Sequence, residues 1–483
     1  MLYRPHRHRL MWDTWMFRRE EVDHLYYLHM SSGPGDGVAL ARASDGVHYE
    51  EHGAVIDKDP QAAWLGSGAV LREGQMLAMN FSEMVDDVQR IHTATSQDGV
   101  VWTRTSSVSH PDRTWYNDMP TGRWDCIYPI ERGGGGFWGY LTANPWTTDD
   151  RNDGLTYRSV GMVVSDDGVA WRAVAPPVID WGSWEPSSFV RHTEVSSAAW
   201  IDDRLYLLLC SFGFRGDAGG TYTFIGDRPE GPFRPDAAVF SLLSSRPPLA
   251  TYFARFYRRD GELLVHHHAI DHEHQRWLSP LKATHVDGQG SLSLRYWQGN
   301  EALKGLEQSI DLASACAVTP STRLDPSSPS PLQVESPLHG IGIVMLGHHF
   351  DASSGVVVEA DVVARPPASG WGGAGFYLET GAEHGVLMLP QTHGQTVFGV
   401  VDLDTLDRHP TDFGRADTIE RGIEAHAEHR LRLLVRGGLA ELYVDESLIQ
   451  CFSLDQDWTG KFGLVVEAAT LEVSDVRAWG MSL

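Results

Sequence analysis

At 483 residues, with 42% hydrophobic and 21% charged side chains, the chain exceeds what one hydrophobic core organises and is too apolar for wholesale disorder, so two folded domains are expected. Its 64 Asp and Glu against 39 Lys and Arg leave a formal charge of −25, which repels phosphate backbones and anionic lipid and argues against nucleic acid or membrane as partners. The opening Met1-Leu2-Tyr3-Arg4-Pro5-His6 has no apolar core and no run of about 18 apolar residues follows it, which predicts a cytoplasmic protein.

In chain order, the first strong signal is a repeated turn. Asp45-Gly46-Val47-His48-Tyr49, Asp98-Gly99-Val100-Val101-Trp102 and Asp167-Gly168-Val169-Ala170-Trp171 each place an aromatic two residues after a valine. Asp-Gly is hairpin-turn chemistry, because glycine accepts positive φ without steric cost. Strand-like stretches flank each copy (Val38 to Ala43, Ile91 to Ser96, Ser159 to Ser165), and more follow at His24 to Leu28, Leu205 to Ser211, Tyr222 to Ile225 and Glu262 to His268. Repeats of this length with scarce helical periodicity predict a β-propeller over residues 1–310. The four glycines Gly133 to Gly136 lack the Lys-Ser or Lys-Thr of a phosphate loop and read as a hairpin loop.

Residues 311–335, with Pro326-Ser327-Ser328-Pro329-Ser330-Pro331, are expected to be a linker. Alternation then returns in Val356 to Val363, Leu431 to Val435, Ala440 to Val444 and Phe462 to Val466, so 336–483 is expected to form a β-sandwich. Cys126, Cys210, Cys316 and Cys451 make no C-x-x-C pair and are expected as scattered buried thiols. His266-His267-His268 alternates across a strand, so at most two rings share a face; core or channel-lining roles are expected, with no metal and no cofactor.

Several short segments, in order along nearly the whole chain, resemble the invertase, inulinase and levanase family of glycoside hydrolases. Tyr3-Arg4-Pro5, His8 and Trp12-Asp13 resemble its opening, a Tyr-Arg-Pro and His ahead of Trp-Met-Asn-Asp-Pro-Asn-Gly; His24-Leu25-Tyr26-Tyr27 resembles His-Leu-Phe-Tyr. Leu65 to Val70 resembles Phe-Ser-Gly-Ser-Ala-Val, Trp124-Asp125 falls at Arg-Asp-Pro, and Glu194-Val195 at Glu-Cys. Thr251-Tyr252-Phe253-Ala254 is similar to Asp-Phe-Tyr-Ala, and Leu431 to Phe452 to the family's sandwich strands. The departures are Thr14-Trp15-Met16 for Pro-Asn-Gly, Trp124 for an arginine, and Gly66 and Gly68 for serines.

The resemblance implies an all-β chain, a five-bladed β-propeller followed by a β-sandwich, and a retaining exo-acting furanosidase on β-D-fructofuranosides such as sucrose or short fructans. Arabinofuranosidase-type propeller hydrolysis and non-catalytic carbohydrate binding are the alternatives. Such a bond is cleaved by one group that protonates the leaving oxygen and a second carboxylate facing the anomeric carbon. The resemblance makes Asp13 the nucleophile, Glu194 the acid/base and Asp125 the acceptor of sugar hydroxyls, with Glu185 of Trp184-Glu185-Pro186 competing for the acid role. Flat aromatic faces stack on sugar rings, and Trp12, Trp64, Trp124 and Tyr252 are expected to bind the substrate. An aromatic wall at Trp124 in place of a guanidinium predicts weak turnover of plain sucrose.

Overall fold

The computed structural model describes all residues except 8–9, 32–34, 119–121, 146–158, 182–192, 212–219, 245–250, 321, 330, 337–339, 369 and 410–413. Each repeated Asp-Gly turn joins the third and fourth strands of a four-stranded antiparallel sheet. The aspartate Oδ1 accepts two backbone N–H groups within the turn: from Val47 and His48 at Asp45, Val100 and Val101 at Asp98, Val169 and Ala170 at Asp167, all at 2.8–2.9 Å. Gly46, Gly99 and Gly168 take φ of +82°, +75° and +69°. The Trp102 and Trp171 indoles donate back to the carbonyls of Gly99 and Gly168.

The chain divides into a unit of Leu2–Ile270 and Gln275–Trp297 and a second built on Gln298–Leu483. The first contains five antiparallel blades built on four strands each, with Ser241–Ser244 adding a fifth strand to the fourth blade. Blade I is Leu10–Arg19, Val22–Met30, Gly37–Ala43 and Glu50–Asp57; blade II is Trp64–Glu73, Met76–Val85, Val88–Ser96 and Thr103–Ser109. Blade III is Trp124–Glu131, Phe137–Ala143, Ser159–Ser165 and Arg172–Val174; blade IV is Thr193–Ile201, Arg204–Ser211, Gly220–Gly226 and Arg234–Pro235. Blade V is Thr251–Arg259, Glu262–Ile270, Lys282–Val286 and Leu292–Tyr296. The first strand of each blade touches that of the next, and blade V's touches blade I's, which closes a five-bladed ring around a central channel.

Apolar clusters fill the seams between blades, with Trp15, Tyr26 and Phe81 between I and II, and Tyr116, Trp124 and Ile127 between II and III. The V-to-I seam carries an ionic cluster as well as the apolar contact of Trp12 with Tyr252 and Phe253. Asp23, fully buried on blade I, accepts from Arg18 at 2.7 Å, from Arg259 of blade V at 3.2 Å and from the Tyr257 hydroxyl.

All five inner strands carry a β-bulge. In each, the inner strand spends one residue more than its neighbour: Trp12 to Thr14 against Leu28 and Tyr27, Leu65 to Gly68 against Glu83 to Phe81, Asp125 to Tyr128 against Thr142 to Tyr140, Val195 to Ser197 against Leu209 and Leu208, and Tyr252 to Arg255 against His268 to His266. A bulge bends a strand and re-aims its side chains, so the ring turns five short segments toward one place in the channel.

The second unit is a two-sheet sandwich. One sheet contains Val356–Arg365, Glu428–Arg436, Leu439–Val444, Ser447–Ser453 and Thr470–Met481; the other contains Ile341–His349, Gly373–Gly381, His384–Pro390, Thr396–Asp402 and Lys461–Glu467. Val358, Leu433, Phe376, Phe462 and Leu464 belong to the core between them. The stretch expected as a linker is instead structured here: Arg323–Pro329 pairs with Leu332–Glu335, which pairs with Thr470–Met481. Arg323–Pro329 is the outermost strand of its sheet, where prolines cost no ladder bond. Cys126, Cys210 and Cys451 are buried as expected, but Cys316, in the two-residue strand Cys316–Ala317, is exposed.

Candidate active site

Asp13 is the extra residue of the blade I bulge. It takes φ of +33°, a strained region that aspartate tolerates better than bulkier residues. Its Oδ1 is withdrawn from solvent and has no hydrogen-bond partner among the described residues. Burial pushes its carboxyl well above the ordinary range, Glu194 and Asp125 push it further, and Arg255 and Arg123 oppose them.

Asp125 precedes Cys126, the positive-φ residue of the blade III bulge. Its strand is fixed to blade II by the buried Asn80, whose side chain donates to the Ile127 carbonyl at 2.9 Å and accepts from the Ile127 N–H at 3.0 Å. Glu194, on blade IV, is held by the Val195 N–H donating to Thr142 Oγ1 at 2.9 Å and by Ser196 Oγ donating to the Ala254 carbonyl. Thus blades I, III and IV each deliver one carboxylate to a cavity of about 290 Å³.

One guanidinium bridges two of them. Arg123 Nη2 donates to Asp125 Oδ2 at 2.5 Å and to Glu194 Oε1 at 3.1 Å. Although burial works against its charge, Asp125 and Glu194 together raise the Arg123 pKa. The Tyr252 hydroxyl donates to Glu194 Oε2, and burial, then the Glu194 charge, push the phenol well above its usual value. Trp12 stacks on Tyr252 with ring centroids 5.0 Å apart, and Trp64 forms another wall beside Arg123. Beneath them Arg255, buried, donates to the Gly68 carbonyl at 2.5 Å and lies over the Phe253 ring at 4.3 Å.

Asp13, Asp125, Glu194, Trp12, Trp64 and Tyr252 therefore line one cavity. Trp124 does not. It is buried in the seam between blades II and III, edge-on to Tyr116 at 5.1 Å, with its indole N–H on Ser109 Oγ at 3.3 Å. The reason is strand alternation: residues 123 and 125 face the channel, so 124 faces away. The guanidinium expected to be missing is present one residue earlier, as Arg123, and the weak-sucrose expectation loses its ground. The three histidines are buried on the second strand of blade V, where burial lowers all three pKa values, that of His268 to about 3. Trp184, Glu185, Pro186 and His8 lie outside the described residues.

Sequence reasoning missed Arg123, Ser82, Gln89 and Arg255. Spacing of two from Asp125 on a strand was the available signal for Arg123. For the other three no local signal existed, since their partners are distant in sequence: Ser82 Oγ bonds Asp125 Oδ1, and Arg255 reaches Gly68.

A closed five-bladed propeller with its carboxylates in the channel, followed by a β-sandwich, is the architecture of the invertase, inulinase and levanase enzymes, glycoside hydrolase family 32, and this chain has that fold. No family model matches the sequence, and no curated protein matches it. Among solved structures, it is similar to sucrose-6-phosphate hydrolase from Lactobacillus gasseri, with a TM-score of 0.69 and 14% identity over 98% of this chain and 91% of that one. Fructan 1-exohydrolase IIa from Cichorium intybus gives 0.66 and 13% over 99% and 96%. Exo-inulinase from Aspergillus awamori gives 0.67 and 13% over 99% and 97%.

Proposed function

We propose that the chain is a retaining glycoside hydrolase that releases a terminal β-D-fructofuranosyl unit from sucrose or short fructans. The observation that carries this reading is the convergence of Asp13, Asp125 and Glu194, from three blades, on one cavity with Arg123 bridging the latter two. The cavity of about 290 Å³ is at the small end of the roughly 300–1,000 Å³ range of ligand pockets.

In this mechanism the ionised Asp13 attacks the anomeric carbon while the bond to the leaving oxygen breaks and Glu194 donates its proton to that oxygen. Water then attacks the anomeric carbon of the glycosyl ester, Glu194 takes the water proton, and Asp13 leaves as carboxylate. Asp125 and Arg123 accept from and donate to ring hydroxyls, and the donor that Tyr252 points at Glu194 sets that carboxyl's orientation. The test is a panel of sucrose, 1-kestose, inulin, levan and nitrophenyl arabinofuranoside with wild type and Asp13→Asn. Release of fructose by the wild type, abolished in Asp13→Asn, supports the reading. Turnover of the arabinofuranoside alone reassigns the substrate, and sugar binding without turnover reassigns the chain as a binding protein.

A further inference from the structure

The carboxylate of Asp125 is aimed by a hydrogen-bond chain whose direction chemistry dictates. The Trp124 backbone N–H can only donate, and its acceptor is Gln89 Oε1 at 3.2 Å. That fixes the Gln89 amide, so its Nε2 faces Ser82 and donates to Oγ at 3.1 Å. Ser82 has one proton left to give, and it goes to Asp125 Oδ1 at 2.5 Å. Gln89, Ser82 and Trp124 are each 2% exposed or less, so water does not compete for these groups. Arg123 holds the other oxygen, Oδ2.

A second observation comes from the backbone of the neighbouring strand. A Cβ built on Gly66 would lie 2.3 Å from Ser82 Oγ and 3.0 Å from Asp125 Oδ1. A side chain at 66 and the hydroxyl of Ser82 therefore compete for one volume beside Asp125. The motif that Leu65 to Val70 resembles has a serine at this place; here the position is glycine and the hydroxyl arrives from the adjacent strand.

We propose that Ser82, oriented by Gln89, is the positioning residue for Asp125, and that it supplies from the second strand of blade II the hydroxyl that a residue at position 66 would otherwise supply from the first. This rests on the glycosidase reading, because Asp125 matters there as the acceptor of sugar hydroxyls. Ser82→Ala frees one oxygen of Asp125 and lowers kcat/KM roughly ten- to hundredfold, the weight of one hydrogen bond to a charged group. Gln89→Glu has nearly the same shape but accepts where Gln89 donates. It draws the Ser82 proton away from Asp125 and produces a similar fall.

The decisive experiment is the cycle of wild type, Ser82→Ala, Gly66→Ser and the double variant, read by kcat/KM and by thermal unfolding. Gly66→Ser alone is expected to lower Tm and activity through overlap with Ser82. In the Ser82→Ala background it is expected to cost less Tm than in the wild type and to raise kcat/KM relative to Ser82→Ala instead of lowering it. The Trp64 ring, 2.6 Å from the same Cβ, must move in both backgrounds, so only the difference between them is diagnostic. An equal Tm cost of Gly66→Ser in both backgrounds overturns the shared-volume argument. An effect of Gly66→Ser on kcat/KM that is the same in both backgrounds, or Ser82→Ala at wild-type kcat/KM, overturns the positioning role. If the wild type cleaves no glycoside, the functional reading has failed and the positioning role falls with it, while the Tm cycle still decides whether the volume is shared.

Discussion

Arg123 is the group whose removal should tell most about this site. Its side chain is 18% exposed and those of Asp125 and Glu194 12% and 11%, so water replaces its two bonds poorly. Hydrogen bonds to charged groups contribute about 1.5–3 kcal/mol each, and two of them sum to about 3–6 kcal/mol. At about 1.4 kcal/mol per factor of ten, Arg123→Met should lower kcat/KM by roughly 10²- to 10⁴-fold on the best substrate. A second effect separates this loss from simple unfolding. Arg123 is one of two cations that hold the Asp13 carboxyl down against burial and its acidic neighbours. The nucleophile must be ionised, so the acid limb of the pH profile reports that carboxyl, and the limb should move to higher pH in Arg123→Met. Arg123→Lys keeps the charge without the bridge, and should restore the limb while leaving the plateau low. The assay is kcat/KM from pH 4 to 9 with circular dichroism on each variant. Wild-type kcat/KM in folded Arg123→Met, or an acid limb displaced downward, would refute the role of the bridge.

Asp13→Asn should abolish turnover yet raise Tm. A carboxyl whose folded pKa lies above its unfolded one favours the fold below the unfolded pKa, and that contribution is lost as pH rises through the folded value. The gain in Tm should therefore be large at pH 8 and vanish near pH 4, and a gain independent of pH would contradict the burial argument. Glu194→Gln should lose activity on sucrose far more than on an aryl furanoside with a good leaving group, and azide should rescue Glu194→Ala with a glycosyl azide of retained configuration. An inverted azide would point to direct displacement. Asp23→Ala leaves Arg18 and Arg259 facing a lost acceptor at the seam between blades V and I, and should destabilise the protein by about 3–5 kcal/mol in urea unfolding. A loss below about 1 kcal/mol would place the closure of the ring in its apolar contacts instead.

The sequence carried the fold through features that are local. Asp-Gly turns are set by four or five neighbouring residues, and alternation marks strands without reference to their partners, so blade and sandwich segments could be read directly. The linker at 311–335 was misread because Pro and Ser report only a preference against central strands, and an edge strand such as Arg323–Pro329 satisfies that preference equally well. That Asp13, Asp125 and Glu194 share one cavity was expected from a resemblance in chain order, not because any one acid among 64 stands out.

What a linear reading could not supply is the aim of each side chain, and the bulges explain why. On a regular strand the alternation that turns Trp124 away from the channel would hold over the whole inner strand. One inserted residue reverses the faces beyond it, and all five inner strands contain such an insertion beside the cavity. Position in a motif therefore stops predicting direction at the very residues that matter. Trp124 and Asp125 lie ahead of their bulge, and there plain alternation decides, so the motif matched on the aspartate has a tryptophan where a guanidinium is expected. The fold satisfied the same chemistry with Arg123, two residues away and on the same face as Asp125. The same holds across strands at Gly66 and Ser82, where a hydroxyl absent from one strand is present on the next at hydrogen-bond distance from Asp125. In both cases a donor reaches an oxygen of Asp125 from a chain position other than the one the motif comparison points to. The group to seek in such a propeller is therefore the donor within reach of a given carboxylate oxygen, whichever strand delivers it.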